Sequence, residues 1–238
     1  MYKVLHEWMD NETTFYIDLV MVIDATQDSP FIREFCAWQN FLTKTYEMIR
    51  QSNFEYGRVW NLRVKIMYFR DFYFDGQYAF GESPFFELPR DMNNVLEYID
   101  SINSAGGVDI PESGLEALWL AMHADYVEGD RYRRIITLFT NAPAHPLEDY
   151  DKLTLIARRQ GCCSPVNYPE KVPRSIGELY YAWENWNHGG RGWLCLIAPD
   201  EYPWADMEVE CSYVARFTYN SMEEVDLNDW YWSAIFGS

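Results

Sequence analysis

Three oxygen-bearing side chains stand at two-residue steps near the start of the chain, in the segment Asp24-x-Thr26-x-Asp28. They follow a nearly continuous apolar run over residues 15–23, and Pro30 beyond them suits the first turn of a helix. Hard cations such as Mg²⁺ take oxygen ligands in octahedral arrays and usually keep several waters. The segment is therefore a candidate cation site, although helix capping by Asp28 explains the same residues.

Two further segments place polar side chains at the ends of predicted elements. Asp109 follows the glycine pair Gly106-Gly107 and precedes a predicted helix, and Asn141 comes just after the apolar run 135–139. Glycines permit a tight turn, and an aspartate before a helix is commonly its N-cap. Each segment alone is compatible with a purely structural role, so the interpretation depends on their combination.

The spacing of apolar residues predicts the elements that carry these segments. Strand-like runs alternate with segments of helical periodicity, which predicts an α/β fold: a doubly wound, mostly parallel central sheet with helices on both faces. The predicted strands are 15–23, 62–69, 135–139, 193–198 and 214–219, and the predicted helices are 31–49, 92–102, 111–122, 147–159, 176–186 and 225–236. In such sheets ligands bind beyond the carboxyl ends of the strands. That edge includes Asp24, Arg70, Asn141 and Asp200.

Together the three segments resemble the von Willebrand factor type A family, whose members carry a metal-ion-dependent adhesion site built from three loops. The first loop reads Asp-x-Ser/Thr-x-Ser and is matched by Asp24, Thr26 and Asp28. Counting back from Gly114-Leu115 places Asp109 at the threonine of the second loop, and Asn141 falls at the aspartate of the third. Residues 69–72, 82–86, 107–118, 142–148 and 198–204 are similar to a bacterial stand-alone subgroup, so the likeness covers about residues 15–236.

The resemblance implies a Rossmann-like fold and a non-catalytic protein–protein interaction module. Its metal ligands would be Asp24, Thr26, Asp28, Asp109 and Asn141. The implied ion is Mg²⁺, or Mn²⁺ or Ca²⁺, with one position open for an acidic side chain of a protein partner. Members of the subgroup tend to be encoded near protein kinases and phosphatases, which implies a scaffold in a bacterial signalling or conflict system.

Three positions depart from the family pattern. Asp28 stands where the family usually has serine, Asp109 where it has threonine, and Asn141 where it has aspartate. The first two changes each add a carboxylate and the third removes one, so we expect the charge of the site to be relocated and not deleted. The alternative is a site that has lost its metal, in which the side chains bond to one another.

Two other functions stay open from the sequence. A metal-assisted phosphoester hydrolase would use the same acidic cluster, with Mg²⁺ stabilising the transferred charge and His145 as a general base. A metal-free structural subunit would have no ligand at the strand ends. The chain lacks glycine-rich nucleotide-binding, zinc-protease, nucleophile-elbow and kinase motifs. We therefore expect a protein that is not an enzyme.

The charge of the chain limits its partners. Its 238 residues include 37 acidic and 19 basic side chains, a net charge of −18, which disfavours nucleic acid and anionic membranes. No apolar run approaches the length of a membrane helix, and no signal peptide is recognised. Five cysteines without regular spacing fit a reducing cytoplasm. We expect a cytoplasmic protein with a lead-in over residues 1–14 and one domain over residues 15–238.

Two features beside the candidate site have two interpretations each. The pair Arg70-Asp71 either lines the same face or forms an ion pair that closes a loop. The aromatic loop Phe72–Phe86 is either an interaction surface, since aromatic residues are enriched at interfaces, or packing on the sheet edge. The sequence also places Asp24 on a loop above the core, so Asp24→Ala is expected to leave the fold intact.

Overall fold

The computed structural model describes residues 14–32, 34–56, 59–107, 110–129, 131–147, 168–187 and 189–236. The predicted lead-in lies outside these ranges except for Thr14, which begins the first strand. The predicted helix over 147–159 also lies outside them from residue 148 onward. Within the described ranges, no helix has the length and apolar character that crossing a membrane requires.

Among the residues that the structure describes, seven strands form one sheet. Their bounds are β1 Thr14–Asp24, β2 Val59–Phe69, β3 Phe80–Glu82, β4 Phe86–Leu88, β5 Tyr132–Phe139, β6 Gly192–Ile197 and β7 Val214–Phe217. The order is β3-β2-β1-β5-β6-β7, and β4 also pairs with β2. All pairs are parallel except those of β3 and β4 with β2.

Six α-helices connect or flank the strands within the described residues. Their bounds are α1 Phe35–Tyr56, α2 Met92–Ser101, α3 Gly114–Met122, α4 Ile176–Asn187, α5 Trp204–Glu210 and α6 Asn228–Phe236. Short 3₁₀ turns lie at Gly76–Tyr78 and Met222–Glu224. Helices between parallel strands are the crossovers that such a sheet requires.

The side chains of β1 alternate between two apolar cores. Leu19 and Met21 face a core that includes residues of α1, α2 and α6. Val20 and Val22 face a second core with residues of α3, α4 and α5. Because successive strand residues point to opposite faces, helices cover both faces of the sheet. The predicted doubly wound α/β fold is confirmed.

Three local features differ from the prediction. Helix α1 begins at Phe35, four residues later than predicted, because Phe31 is buried in the preceding loop and its carbonyl accepts a hydrogen bond from the Trp38 indole. The aromatic loop contains the short strand β3 and ends where the short strand β4 begins, and both strands pair antiparallel with β2. Helix α5 was not predicted, since its seven residues are too few for a clear apolar period.

The strand register places the loops of interest side by side. Asp24 pairs with Phe69 across β1 and β2, and Ile23 pairs with Phe139 across β1 and β5. The residues that follow these strands therefore emerge at one edge of the sheet. Hydrogen bonds continue past the strands there, from the Ala25 amide to the Phe69 carbonyl and from the Thr140 amide to the Ile197 carbonyl.

Candidate functional site

Asp24 is the last residue of β1, and its carboxylate is fully buried. Oδ1 accepts hydrogen bonds from the Thr26 amide at 2.9 Å and the Thr26 hydroxyl at 2.7 Å. Oδ2 accepts a hydrogen bond from the Thr140 hydroxyl at 2.8 Å. Burial raises the pKa of Asp24, and the hydrogen bonds from Thr26 and Thr140 act in the opposite direction. Asp24 thus ties the first loop to the third.

The burial of Asp24 changes the expected effect of removing its side chain, because the sequence had placed Asp24 on a loop above the core. Removing the carboxylate by Asp24→Ala would leave the hydroxyl and the amide of Thr26 without this acceptor, and the Thr140 hydroxyl would keep only the Ala142 carbonyl at 3.4 Å. Each such loss costs about 1–3 kcal/mol. We therefore expect Asp24→Ala to destabilise the fold, contrary to the expectation from the sequence, and a variant of an exposed residue is the better test of the site.

Thr26, Asp28 and Asn141 line one cavity of about 400 Å³, which we call the site cavity. Thr26 is nearly buried, whereas Asp28 and Asn141 are exposed. The Asn141 amide nitrogen lies 3.3 Å from the Asp28 carbonyl oxygen, to which it donates. Three of the five candidate ligands therefore share one opening, while Asp24 contacts Thr26 through two hydrogen bonds.

The second loop supplies the far wall of the site cavity. Gly106 and Gly107 have φ values of +78° and +69°, a conformation that glycine adopts without strain. A side chain at Gly107 would lie 2.7 Å from Glu112 Oε1, so the loop packs tightly there. Asp109, the predicted ligand of this loop, lies outside the described residues. Ile110 is 74% exposed at the mouth of the cavity.

Glu112 and Thr140 are two site residues that the sequence reasoning missed. Glu112 is buried, lines the site cavity, and forms a bridge with Ala144 through backbone hydrogen bonds to Pro143 and His145. Thr140 holds Asp24, as described above. The sequence carried a weak signal for each, since Glu112 follows Asp109 in the same loop and Thr140 directly precedes Asn141.

The donors present suit a hard cation in chemical type. The Thr26 hydroxyl, Asp28 carboxylate and Asn141 amide offer oxygen atoms of the kind that Mg²⁺ takes. Among the described residues, however, no group of three or more histidine, cysteine, aspartate or glutamate side chains could hold a metal ion. The candidate ligands that line the site cavity therefore amount to one hydroxyl, one carboxylate and one amide, and the second described carboxylate, that of Asp24, is buried against Thr26.

Arg70 and Asp71 both brace loops at this edge. Arg70 donates hydrogen bonds to the backbone carbonyls of Ala25, Tyr78 and Asn103. It therefore ties the loop after β1 to two neighbouring loops. Asp71 belongs to a separate network, which lies beneath the second and third loops.

This network, the buried cluster, comprises Asp71, Tyr73, Ser113, Glu116, His145 and Tyr168. Asp71 accepts hydrogen bonds from the Tyr73 amide at 2.6 Å and the Ser113 hydroxyl at 3.4 Å. His145 Nε2 lies 3.2 Å from Asp71 Oδ2. The cluster joins the loop after β2, the start of α3, the loop after β5 and the segment before α4, so it fixes the loops that surround the site cavity.

Glu116 is the most perturbed acid of the buried cluster. Its Oε1 accepts hydrogen bonds from Tyr168 at 2.9 Å and Tyr73 at 3.3 Å, and its Oε2 is buried without a hydrogen-bond partner. Burial raises the pKa of Glu116 to about 7, and the negative charge of Asp71 adds to the effect while His145 opposes it. Burial also raises the pKa of Tyr73 and Tyr168, next to Glu116. This carboxyl therefore takes up a proton near neutral pH.

The aromatic loop packs mainly inward. Phe72 and Tyr73 are buried, and the ring of Phe72 lies 6.2 Å from that of Phe80. Tyr78, by contrast, is 63% exposed. The loop thus favours the packing interpretation over a broad aromatic surface.

Comparison with known proteins gives a likeness in fold. No protein-family profile matches the chain, and no curated protein matches it. A solved structure of the pilus adhesin SpaC from Lactobacillus rhamnosus GG is similar to it, with a TM-score of 0.56 and 9% sequence identity. The likeness covers 94% of this chain but 31% of that one. At this identity the likeness concerns the fold alone.

Proposed function

We propose that the chain is a non-catalytic protein–protein interaction module of the von Willebrand factor type A kind, acting through the carboxyl edge of its sheet. The observation that carries the proposal is the convergence of three loops on the site cavity. Thr26 and Asp28 line it from the first loop, Gly106 and Gly107 from the second, and Asn141 from the third. Their positions in the sequence match the three loops of that family's adhesion site. The fold of a protein named as a pilus adhesin is compatible with a binding role.

The proposed cofactor is Mg²⁺, with Mn²⁺ and Ca²⁺ as substitutes, held by Thr26, Asp28 and Asn141 together with Asp24 and Asp109. The protein partner would offer an acidic side chain to the open coordination position. We further propose a cytoplasmic scaffold role in a bacterial signalling or conflict system, linked to a kinase or phosphatase. The charge of −18 supports a protein partner over nucleic acid or an anionic membrane.

Thermal melting in EDTA and then in millimolar Mg²⁺, Mn²⁺ or Ca²⁺ tests the metal. An ion at about 100 times its Kd adds about 2.7 kcal/mol, and about 1 kcal/mol raises the melting temperature of a domain of this size by roughly 2–4 °C. We expect a rise of several degrees that Asp28→Ala and Asn141→Ala remove, because both side chains are exposed at the site cavity. Glu97→Ala, an exposed position on α2, is the matched control and should keep the rise.

The same protein samples also test the two alternative functions, a metal-assisted phosphoester hydrolase and a metal-free structural subunit. A metal-assisted phosphoester hydrolase would turn over p-nitrophenyl phosphate in Mg²⁺ and lose that activity in Asp28→Ala. His145, its proposed general base, is buried against Asp71 and is absent from the described lining of the site cavity, which disfavours this function. A metal-free structural subunit would show no rise with any ion and no turnover.

A further inference from the structure

A second cavity of about 360 Å³ lies between the start of α1 and the end of α2, and we call it the α1–α2 groove. Its apolar lining consists of Ile32, Phe35, Ile99 and Ile102. Cavities from about 300 Å³ upward are large enough for binding sites. The groove is distinct from the site cavity and shares no lining residue with it among the described ones.

Phe35 gives the groove an exposed apolar wall. Its side chain is 41% exposed at the first residue of α1, whereas Ile32, Ile99 and Ile102 are nearly covered and form a floor. An exposed phenylalanine above a floor of isoleucines leaves apolar surface in contact with water. A partner that inserts an aliphatic side chain would remove that surface from water, which is favourable.

The charge of the groove indicates which kind of residue the partner carries next to its aliphatic side chain. The charged side chain in the described lining is Asp100, which is exposed. The whole chain carries a net charge of −18. Acidic surfaces attract basic partners and repel acidic ones.

The groove is also connected to the candidate site. Ser104, in its lining, donates hydrogen bonds to the carbonyls of Thr26 at 2.7 Å and Gln27 at 3.2 Å. The Ala105 amide donates to the Ala25 carbonyl, and the Gln27 amide donates to the Gly106 carbonyl. A ligand in the groove would therefore contact the segment that holds the first loop of the site.

We propose that the α1–α2 groove docks a short protein segment in which an aliphatic side chain stands beside a lysine or arginine. The aliphatic group packs against Phe35 above the isoleucine floor, and the cation pairs with Asp100. This contact is separate from metal binding, so it holds whether or not the site cavity takes an ion.

Fluorescence anisotropy with a labelled twelve-residue peptide of alternating leucine and lysine tests the proposal, with a leucine–glutamate peptide of the same length beside it. We expect the lysine peptide to bind, the glutamate peptide not to bind, and the binding to weaken with salt. Phe35→Ser and Asp100→Lys should each weaken binding by about tenfold, as truncation of an interface anchor does. The controls are Val209→Ser and Glu210→Lys at exposed positions of α5, which replace an apolar residue by serine and an acidic residue by lysine away from the groove.

Equal weakening in the groove variants and the α5 variants would mean that the peptide binds the acidic surface as a whole, which overturns the proposal. Equal binding of the two peptides, or binding of neither, also overturns it. Hydrogen exchange of the wild-type chain gives an independent measurement. Peptide-dependent protection over 35–42 and 96–105 supports the groove, and protection confined to other segments contradicts it.

Discussion

Glu116→Gln should change how the stability of this protein depends on pH. Glu116 lies wholly inside the buried cluster, where Tyr73, Tyr168, His145 and Asp71 are the titratable groups that face it. Its pKa rises from an ordinary value of 4.5 to about 7 because burial penalises the charged form. That rise in pKa corresponds to a free-energy penalty of about 3 kcal/mol for ionising Glu116 in the folded chain relative to the unfolded chain.

Whether the free energy of unfolding rises or falls with pH depends on whether the folded or the unfolded chain holds the proton. Below pH 4.5 the carboxyl is protonated in both the folded and the unfolded chain, so it contributes no penalty. Between pH 4.5 and about 7 the unfolded chain releases the proton while the folded chain keeps it, so the free energy of unfolding falls as pH rises. Above pH 7 the folded chain carries a buried carboxylate and the full penalty of about 3 kcal/mol remains.

Glutamine keeps the shape of the side chain and one oxygen for Tyr168, but it does not titrate. The free energy of unfolding of wild type minus that of Glu116→Gln should therefore fall by about 3 kcal/mol between pH 4 and pH 8. Urea unfolding across this pH range measures the free-energy difference between the two proteins. The titration of groups that both proteins share cancels in that difference. The amide adds a constant offset, because a donor replaces the buried Oε2.

Two outcomes would refute this reasoning. Parallel stability curves for wild type and Glu116→Gln would show that Glu116 titrates alike in the folded and unfolded chains. A slope change of the same size in Glu97→Gln, which removes an exposed carboxylate from α2, would show that the effect comes from net charge and not from burial.

Two further predictions concern the supports of the fold. Arg63→Ala should lower the free energy of unfolding, measured in urea, by about 3 kcal/mol. The buried Asp18 would lose the two hydrogen bonds of 2.8 and 2.7 Å that it accepts from the guanidinium. A loss below about 1 kcal/mol would contradict this prediction. Gly114→Ala should cost about 1–3 kcal/mol, measured by thermal melting, since its methyl group would lie 2.8 Å from the Trp204 ring. The smaller ring of Trp204→Phe should reduce that cost in the double variant, and full additivity would exclude the clash.

The sequence was sufficient for the fold class and for the edge of the sheet at which the candidate loops meet. A strand such as β1 can be recognised from consecutive residues alone, because a strand buried on both faces needs apolar residues at nearly every position. Parallel strands then bring their carboxyl ends to one edge. The loops of Asp24 and Asn141 could thus be placed together before any contact was known.

The buried cluster could not be predicted in the same way. Asp71, Glu116, His145 and Tyr168 come from four segments, and no local pattern marks a glutamate in an apolar helix as buried among tyrosines. The seven residues of α5 were missed for a related reason, since two turns give too little periodicity to distinguish from a loop.

The sequence by itself determined the five parallel strands, the longer helices and the residues at the strand ends, since these depend on local apolar patterns and on the geometry of parallel sheets. Only the tertiary structure decided that the Asp24 carboxylate is buried and braces the first loop against the third. Its partner Thr140 lies 116 positions away in the chain and meets it because β1 and β5 are neighbours in the sheet. Burial of a polar group depends on what packs over it, and that is a property of the assembled loops.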